Sequence, residues 1–128
     1  MPLAYAPVVR DKSQFAMWRP PRTRLLGLTP AGARDLVVDC FFHAQRETFA
    51  RSRDAAGLAS DDEKVRSTVV GAVRAVFHEV GGNFDAPTVE HVGEVVEALG
   101  RKAASWGTPP DVVTHHVAQL REMVRGLR

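Results

Sequence analysis

The chain has 128 residues, 45% of them apolar and 25% charged, with a formal charge of +2. That length suits one domain able to bury a core without staples, and the composition is far from that of disordered chains. A single cysteine, Cys40, excludes an intramolecular disulfide, and no run approaches the roughly 18 apolar residues of a membrane span.

Residues 1–28 read as an extended, proline-punctuated basic arm. It holds Arg10, Lys12, Arg19, Arg22 and Arg24 against Asp11, so the small positive total leaves residues 29–128 mildly acidic. Met1 to Val9 is apolar but has no basic residue before it, which is not the order of a secretory signal; a cytoplasmic address is expected. Trp18, Arg19, Arg22 and Arg24 flank a stiff Pro20-Pro21 step. Such a segment is an ordered tether on its own domain, or a strand that docks in a partner protein's groove. Nucleic acid is the weaker alternative, with the arginines on phosphates and Trp18 stacked on a base.

From Thr29 onward the pattern predicts an antiparallel bundle of four main helices, an all-α domain over residues 29–128. Thr29-Pro30 supplies an N-cap and a proline at the first helical position, opening a helix that runs to about Ala56 and stops at Gly57. Ser60 to Glu63 forms a capping box for a second helix, to about Val80. Thr88 caps a third, to about Trp106. Thr108-Pro109-Pro110-Asp111 repeats the threonine-proline device for a fourth, to about Leu127.

The last three segments each show one apolar stripe at helical spacing, for example Val65, Val69, Val73 and Val76 in the second. Valine favours strands, yet pairs such as Val95-Val96 and Val112-Val113 fall at three-to-four spacing without alternation, so helix is retained. Residues 30–56 differ: Leu36, Val37, Cys40, Phe41 and Ala44 make one apolar face, and Val38, Phe42 and Phe49 extend it far round the helix. Something must cover those three. The arm is one candidate; a second copy in a two-fold homodimer is another, and exchanged arms would combine them.

Two polar features stand out. Asp39, His43 and Glu47 recur every fourth position on the one hydrophilic strip of the first helix, a spacing that stacks two carboxylates around an imidazole and could anchor a metal ion or small ligand. The ordinary alternative is a solvated face, with Glu47 paired to Arg51. His116 projects into the apolar arc of the fourth helix, where an imidazole needs a partner: a backbone carbonyl, the indole region around Trp106, or a ligand. His115 points about 100° away, so the doublet cannot chelate one ion, and it is expected on the exposed side toward Gln119 and Glu122.

Signatures for catalysis, phosphate binding, structural zinc and covalent haem are missing, and Cys40 among Leu36, Val37 and Phe41 reads as a small buried hydrophobe. The leading expectation is a non-enzymatic interaction or regulatory module without a cofactor. It self-associates through the arm and Val38, Phe42 and Phe49, or contacts a protein partner there, and has no membrane association. The alternative is a metal- or small-ligand-binding bundle anchored on His116 or on Asp39, His43 and Glu47.

Overall fold

The structure, a computed structural model, describes residues 15–51 and 62–127. Its regular elements among these are all helical. They are a single turn α1 (Arg22–Leu25), then α2 (Pro30–Arg51), α3 (Asp62–Glu79), α4 (Val89–Ala103) with a 3-10 turn at Ala104–Trp106, and α5 (Pro110–Arg125). The four long helices match the predicted segments. The expected end of the first helix near Ala56, and the capping serine at position 60, lie outside the described residues.

Local chemistry explains most of the boundaries. Thr29 Oγ1 accepts the Gly32 N–H at 3.1 Å and Thr88 Oγ1 accepts the His91 N–H at 3.2 Å, each satisfying one amide that a helix start leaves unpaired. Gly107, at φ 90°, takes the left-handed conformation that closes the turn after α4.

Two expectations about local backbone structure need correction. Residues 22–25 are not extended but form one helical turn, closed by Arg24 N–H to the Pro21 carbonyl at 3.0 Å. Thr108 is not the cap of α5, because the helix begins one residue later than a Thr-Pro cap requires and Pro109 occupies the cap position. With two consecutive prolines the first turn presents fewer amides to cap, and Thr108 is free to turn inward.

The core is formed by the apolar faces of all four long helices. Leu36, Val37 and Phe41 of α2 join Val73 and Phe77 of α3, Val92, Val95, Val96 and Leu99 of α4, and Leu120 of α5. α5 packs mainly on α4, α2 on α3, and α3 on α4, while α2 also touches α4 and α5. Close approach of α4 and α5 depends on Gly100: a Cβ there would stand 2.8 Å from Val117 Cγ2. The link between α3 and α4 is pinned by Phe84, whose ring lies under the guanidinium groups of Arg34 and Arg74 and whose carbonyl accepts from Arg34.

Val38 and Phe49 are 5% and 6% exposed within this one chain, so neither presents the open contact surface expected of it. Phe42 is half-buried against the core, with the Arg66 guanidinium 4.6 Å above its ring. Trp18, expected on an interaction surface, is instead part of the same core at 8% exposure; an indole buried there cannot stack on a base. Arg19, Arg22 and Arg24 remain exposed.

Candidate functional site

A segment without regular secondary structure that packs into a fold has unpaired amides and carbonyls that must find partners. For residues 15–18 those partners come from side chains of α2 and α5. Glu47 Oε1 accepts the Ala16 N–H at 3.2 Å, His43 Nε2–H donates to the Ala16 carbonyl, and His116 Nε2 accepts the Trp18 N–H at 3.0 Å. Phe15 is buried against Ala44 of α2 and Val112 of α5, so the segment lies across the junction of these two helices.

The strip on α2 is therefore half-covered by the arm and not open to solvent alone. Its third member, Asp39, takes Arg24 at 2.6 Å and Arg66 at 3.1 Å, tying α1 on one side and α3 on the other. The i, i+4, i+8 spacing matters because it matches the advance of the arm along the helix: Glu47 and His43 meet Ala16, and Asp39 meets Arg24.

His116 is almost fully buried, as the apolar arc of α5 implies, and its partner is a backbone N–H from the arm. Accepting on Nε2 requires a neutral ring. Burial, reinforced by the nearby His115 and His43 rings, holds its pKa down from 6.5 to about 4, so the ring stays neutral at ordinary pH. His115 is half-buried and not exposed: its ring folds back to 5.7 Å from that of His116, and its Nε2 is shut from solvent without a protein partner.

Sequence reasoning missed a buried polar group one turn further along α2. Thr48 Oγ1 donates to the Ala44 carbonyl at 2.7 Å and meets Thr108 Oγ1 at 3.1 Å, while Gln45 Nε2 donates to the Trp106 carbonyl at 3.3 Å. Gln45 Oε1 and the Trp106 indole N–H are buried without partners. The available signal was position: Gln45 follows Phe41 by four residues and Thr48 follows Ala44 by four, placing both on the apolar face.

Among the described residues no three His, Cys, Asp or Glu side chains converge on a point that could hold a metal ion. The Cys40 thiol is buried, and burial together with the Asp39 charge pushes its pKa up, which makes it unreactive. An open cleft of about 440 Å³ lies between α3 and the end of α4, floored by Gly71, Ala72 and Ala75 and edged by Lys102, which is bound to Glu79 at 3.1 Å. It gathers no titratable pair suited to chemistry. No helix among the described residues is long and apolar enough to cross a membrane. The chain matches no protein-family model, no curated protein and no solved structure.

Proposed function

We propose that the chain is a non-enzymatic interaction module that self-associates by exchanging its arm between two antiparallel four-helix bundles. The observation that carries this reading is how residues 15–18 are held. Ala16 and Trp18 are gripped through backbone N–H and C=O groups, while Phe15 and Trp18 supply apolar anchors three residues apart.

A clamp that reads backbone does not distinguish which copy supplies the segment, so the same contacts form within a chain or across a two-fold pair. Gly27, at φ 62°, lies between α1 and α2 and gives the connection a conformation that few other residues adopt, a suitable hinge for either route. The exposed side of the arm, with Arg19, Arg22 and a Leu26 that is 81% exposed, offers a further surface to a protein partner. A cytoplasmic setting suits the free Cys40 thiol.

Light scattering on the full-length chain, from micromolar to near-millimolar concentration, tests the reading. The expected result is twice the 14.0 kDa chain mass, with Phe15→Ser shifting the population toward one copy. A parent that keeps the mass of one chain throughout overturns arm exchange.

A further inference from the structure

Two histidines flank a third, His116, where the arm crosses α5. The His43 and His115 rings lie 6.4 and 5.7 Å from the His116 ring, centre to centre, and the Phe15 ring closes another side at 6.4 Å. Their hydrogen-bonding roles are not alike. His43 donates to the Ala16 carbonyl, which neutral and charged imidazole can both do; His116 accepts from Trp18, which only the neutral ring can do.

We propose that His43, His115 and His116 form an acid-sensitive latch: protonating His116 turns the acceptor for the Trp18 N–H into a donor and frees residues 15–18 while the helices stay folded. This deepens the arm-exchange reading, resting on its docked segment, by naming what opens the groove.

The surroundings set the direction. α2 presents His43 and, one turn on, Glu47, whose carboxylate already accepts the Ala16 N–H. In the other direction along α2, Asp39 is engaged by Arg24 and Arg66. α5 presents His115 beside the ring, and Asp111 lies a little more than one turn before it. Phe15 to Trp18 carry no titratable side chain, and Arg19, the next residue, is exposed. A cation on His116 would face the Trp18 donor and two further imidazoles in a buried site, where an unmet polar group is disfavoured. A ring that titrates at about 4 when docked, and higher once residues 15–18 leave and water reaches it, links release to proton uptake, so docking weakens as pH falls from neutral toward about 4.

Backbone amide exchange on the ¹⁵N-labelled full-length chain, corrected for the intrinsic pH dependence of exchange, reads the latch directly. Protection of the Trp18 amide is expected to fall by at least about tenfold between about pH 7.5 and pH 4 while Val95 and Val96 in α4 keep theirs. In His116→Gln the side-chain oxygen still accepts but does not titrate, and Trp18 protection should stay level. His43→Gln keeps a donor for Ala16 and removes a neighbour that holds the His116 pKa down, so release should move to higher pH; this second variant serves if the first fails to fold. A Trp18 amide protected at neutral pH and equally protected in acid overturns the latch and leaves docking intact. An amide already unprotected at neutral pH overturns docking itself. Loss of α4 protection in step with Trp18, or an unchanged acid response in His116→Gln, also overturns the latch.

Discussion

The Trp18 N–H and the His116 Nε2 meet at 3.0 Å across 98 positions of sequence. The bond requires a neutral ring, and burial of that ring makes stability depend on pH. His116 titrates at about 4 in the fold against 6.5 unfolded, so the unfolded chain binds more protons between those values. The contribution is complete above about pH 6.5 and is lost progressively as pH falls toward about 4. The full shift corresponds to about 3 kcal/mol, less where the arm lets go before the bundle unfolds. Urea unfolding across this range should show the decline in the parent and a flatter profile in His116→Gln; parallel profiles would remove His116 from the account.

The arm's own residues should divide sharply by burial. Trp18→Ala removes a large side chain from the main core and is expected to destabilise by about 3–5 kcal/mol. Phe15→Ala sits in a small cluster with Ala44 and Val112 and should fall near the lower end of that range. Leu26→Ala, at a position 81% exposed, should change stability by no more than about 0.5 kcal/mol. Equal effects from Trp18→Ala and Leu26→Ala in denaturant titrations would mean that the arm is not packed as described.

Asp39 holds two arginines, and both pairs are partly open to water. Asp39→Asn is expected to lower stability by about 0.5–1 kcal/mol, with the parent's advantage shrinking as salt is raised. Thermal melts of both proteins at low and high ionic strength check this. An advantage that survives molar salt would argue for a packing role.

Two glycines should respond in opposite directions to the same substitution. A Cβ on Gly71 of α3 meets nothing within 4 Å, so Gly71→Ala should stabilise by about 0.5–1 kcal/mol through helix propensity alone. A Cβ on Gly100 meets Val117 Cγ2 at 2.8 Å, and forcing α4 and α5 apart should cost about 1–3 kcal/mol, more than the same propensity gain. Calorimetric melting of the two variants decides between local propensity and interhelical packing.

The helices were readable because their signals are local. Thr29 and Thr88 cap within three residues of themselves, Gly107 closes its own turn, and the stripe from Val65 to Val76 needs only helical spacing. Thr108 misled because the second proline moved the helix start by one residue. His116, His43, Asp39 and Glu47 were recognisable one by one as polar groups in telling positions. What they bind was hidden, since Ala16 and Trp18 are held by backbone atoms that every residue carries. For the same reason the cover over α2 could be posed as a question from its excess of apolar side chains, while its detail, an arginine above Phe42 and an indole within the core, required the folded chain.

The distance in sequence between Trp18 and His116 also sets an order of events during synthesis. A ribosome adding about 5–20 residues per second needs roughly 5–20 s to travel from one to the other. Through that interval Phe15 and Trp18 exist without the helix that completes their seat. The nascent chain thus displays an aromatic, basic tail before it can retract it, and a second nascent chain on the same message displays an identical one. If arms are exchanged as proposed, slowing translation over α5 should raise the share of entwined products.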